Sequence, residues 1–138
     1  FNGAGVTVNR IANPQSNGIN TSGFVMEVDQ VANVQGWSGF STDLTGLIDF
    51  TNKQVFTIKV YSPGPGKVVK LKLEEVGNAG NNKEIDATTT VTNAWETLTY
   101  TFDVADANKW NRFVLFFDFQ ANVKANASKF YFDDILLQ

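Results

Sequence analysis

Neither cysteine nor histidine occurs anywhere in the 138 residues, and that absence removes much chemistry. No thiol nucleophile, no Ser–His pair and no imidazole or thiolate zinc site can be assembled. Any bound metal must be a hard cation held by oxygen, calcium before magnesium. Without cysteine there is no disulfide scaffold, a composition that fits many secreted bacterial proteins and leaves the compartment open. Basic residues are few as well: 11 Lys and Arg stand against 14 Asp and Glu, for a net charge of -3. No basic stripe for nucleic acid appears. Long apolar runs are also missing. The longest, Phe113 to Phe117, is far too short for a membrane span, and nothing reads as a signal peptide. Neither nucleic acid nor a membrane is therefore expected as a partner.

What the chain does contain favours strands. Phe is used 12 times against a single Met, Val and Thr are frequent, and Gly (11) and Asn supply turns. Val6 and Val8 alternate with polar neighbours, and Phe24, Met26 and Val28 are expected as the inward set of the next strand, with Val25, Glu27 and Asp29 opposite. Phe56, Ile58 and Val60 form an inward face, with Thr57, Lys59 and Tyr61 opposite, and Val69, Leu71 and Leu73 continue the pattern after the turn at Ser62–Gly66. Gly77 to Asn82 reads as a hairpin tip, and Leu98, Tyr100 and Phe102 as the inward set of the strand that Trp95 opens. Arg112 to Gln120 is nearly all apolar, so both of its faces should be covered, and in the closing strand Phe130, Phe132 and Leu136 are expected to point inward. The sum is about nine or ten strands with no convincing helix, which argues for an antiparallel sandwich or barrel. No linker or internal repeat divides residues 1–138, so one domain is expected.

Three groups of residues could carry function. Trp37, Trp95 and Trp110 lie beside turns or at strand starts, and Tyr61 points away from the core set of its strand. Such aromatics either plug the ends of the core or stack on the apolar C–H faces of a sugar ring; Trp95 reads mainly as a plug. Lys59, Lys70, Lys72, Asp118 and Gln120 are polar residues of non-core faces or of apolar segments. Asp118 needs a partner, whether a lysine or a ligand hydroxyl. Asp133 and Asp134 interrupt an apolar closing strand, where a carboxylate near the core needs compensation. A lysine partner, backbone N–H groups or a calcium ion would each provide it. Glycoside hydrolysis needs two carboxylates roughly 5–10 Å apart in a cleft. Glu27, Asp29, Glu74 and Asp118 exist, but no motif joins any two, so no enzyme is expected.

Several segments in order resemble a known group. Asn13-Pro14, Gly18-Ile19-Asn20-Thr21-Ser22, Trp37-Ser38-Gly39, Phe56 to Pro63, Val69 to Glu74, Trp95 to Tyr100 and Phe130-Tyr131-Phe132-Asp133-Asp134-Ile135 are similar to jelly-roll carbohydrate-binding modules of families 4 and 16. These are common in extracellular polysaccharide-degrading enzymes of marine and gut Bacteroidetes. The resemblance spans nearly the whole chain. It implies an all-β, antiparallel β-sandwich (jelly-roll) of two sheets, a glycan-binding concave face or loop edge, and a structural Ca²⁺. Asp133 aligns with the usual C-terminal calcium ligand, with Asp134 beside it. Relatives have an earlier strand with a Phe-Glu pair whose acid helps hold the calcium. Here Phe1-Asn2-Gly3 opens the sequence instead, so half of that site is expected to be missing.

The function so implied is a secreted, monomeric, non-catalytic module that holds a plant or algal polysaccharide or oligosaccharide near the catalytic domain of a parent glycoside hydrolase or lyase. Trp37, Tyr61 and Trp110 are the candidate stacking residues, with Lys59, Asp118 and Gln120 fixing orientation. A neutral β-glucan or mannan fits the aromatics, and alginate fits the lysines. A structural or adhesive spacer domain is the competing reading, and it expects the aromatics to be buried.

Overall fold

The computed structural model describes residues 5–138; Phe1-Asn2-Gly3, and with it the question of an earlier calcium-binding strand, lies outside the described residues. Nine strands form two antiparallel sheets among these residues. The first has the order β1 (Val6–Ala12), β2 (Phe24–Gln30), β9 (Ser128–Leu137), β4 (Val55–Ser62), β7 (Ala94–Thr101). The second runs β3 (Phe40–Asp43), β8 (Arg112–Phe117), β5 (Val68–Glu75), β6 (Asn78–Thr88). A 3-10 turn at Val104–Asp106 interrupts the strand pattern.

Period-two alternation places the core between the sheets. Phe56, Ile58 and Val60 of β4 and Phe130 and Phe132 of β9 meet Val69, Leu71 and Leu73 of β5 and Phe113, Leu115 and Phe117 of β8. Polar ties cross this apolar layer, among them the Gln30 side-chain amide to the Phe117 carbonyl at 3.1 Å. The hydroxyl of Tyr100, fully buried on β7, donates to the carbonyl of Val69 on β5 at 3.1 Å, and burial pushes the phenol well above its ordinary pKa. Tyr100→Phe removes that bond and leaves the packing, so it should cost about 1 kcal/mol in urea denaturation.

Three local expectations are corrected. Phe24 does not point inward: it is 50% exposed with the Arg10 guanidinium 3.7 Å over its ring, and Val25 is the buried residue at that end of β2. The hairpin tip is not Gly77 to Asn82: β5 turns at Val76-Gly77, and β6 already begins at Asn78. A register shift between Glu74 and Glu75 absorbs the extra residues, so Asn82 pairs with Glu74. In the closing strand Leu136 points outward, 51% exposed, and Leu137 takes the inward place. The cause is a bulge. Asp133 pairs with Lys59 and Leu136 with Thr57, so two residues oppose Ile58, and Asp134 adopts φ 47. One extra residue reverses the alternation beyond it.

Candidate functional site

β8 lies between β3 and β5, and its outward set is Arg112, Val114 and Phe116. On a flat sheet such residues would be exposed, yet Val114 is 3% and Phe116 7% exposed. Lys72 and Glu74 of β5 stand opposite Val114 and Arg112, and Ser41 and Asp43 of β3 stand on the other flank. Together Ser41, Lys72, Glu74, Arg112, Val114 and Phe116 line a cavity of about 270 Å³.

The chain comes close enough to form this wall because two positions lack a side chain. A Cβ at Gly39 would fall 2.5 Å from the carbonyl oxygen of Leu115 and 2.8 Å from the Phe116 ring. At Gly36 it would fall 2.2 Å from the carbonyl oxygens of Gln120 and Asn122. Trp37 lies between these two glycines and is 40% exposed. The segment before β3 thereby runs against the end of β8, with Trp37 exposed on it.

Charge in the cleft is locked in pairs. Arg112 donates through Nε to Asp43 at 2.5 Å and through Nη1 to Glu74 at 3.2 Å, while Lys72 reaches Glu74 at 2.8 Å. Burial works against the charge of Glu74, but hydrogen bonds from Lys72 and Arg112 outweigh it and hold the carboxyl below its ordinary value. Hydrogen bonds from Arg112 likewise lower Asp43. Further along, Lys70 bridges Glu84 and Asp86, both at 3.0 Å, and its ammonium lies 4.4 Å from the centroid of the Phe119 ring. Such a surface offers fixed donors and acceptors around an apolar floor. Its one lining carboxylate, Glu74, is held ionised by two pairs and is not poised as a general acid near neutral pH.

The outer face of the five-stranded sheet is built differently. Tyr61 of β4 pairs with Trp95 of β7 and Tyr131 of β9, with ring centroids 5.6 and 5.7 Å apart. Trp95 is 7% exposed, and its indole N–H donates to the Gln15 carbonyl at 2.7 Å. It is a plug, as expected, but under the loop after β1 rather than at the end of the inter-sheet core.

The six residues expected to bind ligand therefore separate. Lys59 and Tyr61 share the five-stranded face, and Lys59 pairs with Asp134 at 2.6 Å. Asp118 and Gln120 line a cavity of about 300 Å³ at the loop end. Asp118 does not sit inside a strand: β8 stops at Phe117, and Asp118 turns the chain with φ 52 and pairs with Lys67 at 3.2 Å. Trp110 is no stacking platform. It is 3% exposed, packed against Phe50 and Phe102 with its N–H donated to Asn81. Arg112, Phe116 and Tyr131 are not among the residues the sequence singled out: in β9 the alternation marks Tyr131 as outward, whereas in the apolar β8 no alternation separates Phe116 from the core.

Asp133 and Asp134 also part. The Ser22 hydroxyl lies 2.5 Å from Asp133 Oδ2, 2.7 Å from Asn20 Oδ1 and 3.0 Å from the Phe24 carbonyl. One hydroxyl proton serves only one of these three oxygens. The Asn20 side-chain amide also donates to Asp133 Oδ2 and the Ser22 N–H to Asn20 Oδ1, both at 3.1 Å, so a hard cation at these oxygens would displace the hydroxyl and amide donors, with water completing the six to eight ligands calcium takes. Among the described residues no three acidic side chains gather for a metal, so Asp133 would be its single carboxylate, while Asp134 is turned to Lys59.

No family model matches the sequence, and no curated protein matches it. Solved structures do. A family 11 carbohydrate-binding module from Clostridium thermocellum, in complex with a β-1,3-1,4-mixed-linked tetrasaccharide, superposes with a TM-score of 0.63 at 14% identity, covering 98% of this chain and 83% of its own. A CBM4 structure gives 0.57 at 16% identity, over 83% and 82%. The fold is that of a jelly-roll carbohydrate-binding module. The CBM22-1–GH10 modules of Clostridium thermocellum xylanase 10B, complexed with xylohexaose, match at 0.60 with 12% identity, over 96% of this chain and 24% of that one. In that case the same sandwich is one part of a longer enzyme chain.

Proposed function

We propose that this chain is a non-catalytic glycan-binding module that holds polysaccharide against the outer face of its four-stranded sheet. The observation that carries the reading is the cleft over β8, where Arg112, Lys72, Glu74 and Ser41 surround Val114 and Phe116, themselves only 3% and 7% exposed. A pyranose ring needs oriented polar groups for its hydroxyls, which the cleft supplies, and an apolar surface for its C–H face. Trp37, 40% exposed, would supply the stacking surface. Solved structures of like fold, named as carbohydrate-binding modules, support the reading. Because Arg112 and Lys72 are already paired with acids, a neutral β-glucan or mannan suits the cleft better than alginate. Burial of Trp95 and Trp110 is what a spacer domain would show; the exposed Trp37 and the polar cleft favour binding. As part of a secreted hydrolase or lyase, the module would raise the effective concentration of polysaccharide at the catalytic domain.

Affinity electrophoresis on gels containing mixed-linked glucan, mannan, xylan or alginate tests this. A neutral polysaccharide should retard the protein, and Trp37→Ala should weaken retention about tenfold or more, about 1.4 kcal/mol. If no polysaccharide retards the protein, with or without Ca²⁺, the reading fails.

Calcium is proposed at Asp133, Asn20, Ser22 and the Phe24 carbonyl, where it would tie the loop before β2 to the closing strand. Added Ca²⁺ should then raise the melting temperature of the wild type. Asp133→Asn should abolish that rise and Asp134→Asn should leave it. An equal rise in Asp133→Asn would place any calcium elsewhere.

A further inference from the structure

The groove on the opposite sheet is not needed for the function just proposed, yet it is built like a binding site. Its volume of about 510 Å³ falls within the roughly 300–1,000 Å³ of ligand pockets. Tyr61 and Tyr131 form its floor, half-buried and inclined at 55° to each other. Gln15, Asn93, Ser128 and Lys129 form its rim. One wall is held by design of the sequence. The Trp95 N–H anchors the Gln15 carbonyl, the Gln15 N–H donates to Asn13 Oδ1 at 2.9 Å, and the Asn13 side-chain amide donates to the Ser22 carbonyl at 3.0 Å.

Two features define the occupant. Neither phenol of the floor has a hydrogen-bond partner among the described residues, and neither is a buried unsatisfied group. Both hydroxyls are therefore available to a ligand at the edge of an aromatic surface. The ionic groups around them are matched: Lys129 pairs with Glu27 at 2.9 Å and lies 4.0 Å from Asp29, and Lys59 pairs with Asp134. A charged ligand would have to break these pairs, whereas a neutral polyhydroxylated ring could use the phenols, amides and serine without doing so.

We propose that this groove is a second glycan site, specific for neutral sugar units and independent of the cleft over β8. The two sites lie on opposite faces of the sandwich, so one protein molecule would hold two polysaccharide chains rather than one chain twice. The proposal deepens the glycan-binding reading, and its distinctive consequence is cross-linking.

Mixing the protein with soluble mixed-linked β-glucan and following turbidity and sedimentation tests it. The wild type should sediment glucan at a stoichiometric optimum and lose that ability at protein excess. Tyr131→Ala, which removes an outward ring from a strand whose inward set is intact, should abolish cross-linking and leave gel retention within about twofold. Trp37→Ala with Lys72→Ala should also abolish cross-linking, with residual retention that disappears when Tyr131→Ala is added. Titration with the mixed-linked tetrasaccharide should move the amide signals of Tyr61, Asn93, Lys129 and Tyr131. If Tyr131→Ala cross-links like the wild type, or the tetrasaccharide moves none of these signals at millimolar concentration, the second site is wrong, even where the first face binds. If Trp37→Ala with Lys72→Ala retains full affinity while Tyr131→Ala loses it, the second site stands and the first is wrong.

Discussion

Glu74→Ala should cost about 3 kcal/mol of stability and cut glycan retention to the remainder that the Tyr61–Tyr131 groove supplies, the largest loss expected from any polar substitution on the four-stranded face. The carboxylate is 9% exposed in its side chain and sits between Lys72 and Arg112, themselves 18% and 28% exposed. Removing it leaves two cations close together on a poorly solvated face with one shared counter-charge gone. Arg112 keeps Asp43, but Lys72 loses the one acid it is paired with. Urea denaturation measures the stability, and Glu74→Gln, which keeps the shape and a hydrogen-bond acceptor, should lose less. Acid should mimic the mutation. Since the folded carboxyl titrates below its unfolded value of 4.5, the stability it contributes is complete above about that pH and disappears as pH falls through the lower folded value. A wild-type stability profile that stays flat below pH 4.5 would contradict the pairing.

Lys124→Met should do the reverse and stabilise the fold by about 2 kcal/mol. Lys124 is 2% exposed, and its ammonium donates to the Phe117 carbonyl at 2.7 Å. Burial pushes its pKa down to about 8, only partly opposed by nearby Asp118 and reinforced by Lys67. The fall from 10.5 to about 8 corresponds to roughly 3 kcal/mol of penalty on the charged form. Methionine fills similar volume without charge, and the Phe117 carbonyl keeps its second donor, the Gln30 side-chain amide at 3.1 Å. Below about pH 8 both folded and unfolded lysine are charged and the penalty is constant. Between about 8 and 10.5 the unfolded chain binds more protons, so wild-type stability should rise with pH across that window. Lys124→Met should remove that rise together with the penalty. A variant less stable than the wild type at pH 7 would show that the ammonium is better solvated than its burial indicates.

The alternation of polar and apolar residues made most of the fold legible. β4 and β5 could be read residue by residue because each has one buried and one open face, and β8 announced itself as a doubly covered strand. What periodicity could not carry was the effect of one extra residue. Nothing in Asp133-Asp134-Ile135 marks a bulge in advance, and the bulge decides that Leu136, not Leu137, faces out. The site was legible in kind more than in place. Trp37 and Tyr61, like Trp110, read as an even choice from the sequence; Trp37 is exposed and Tyr61 half-buried. Trp110 was an even choice between plug and platform, which only the packing of Phe50 and Phe102 resolves. Arg112 and Phe116 went unnoticed because β8 is apolar on both faces, which hides a binding floor inside what looks like core. The cleft itself depends on Gly36 and Gly39 approaching backbone from distant parts of the chain, a tertiary fact no local pattern contains.

Chemical-shift mapping of the amide spectrum during titration with the glycan that retards the protein most tests the account where it is most exposed. The largest changes should fall at Ser41, Lys72, Glu74 and Arg112 to Phe116, with the Trp37 indole signal moving at the same half-saturation. Saturating glycan that leaves the amides of β5 and β8 unmoved would contradict a binding face on the four-stranded sheet.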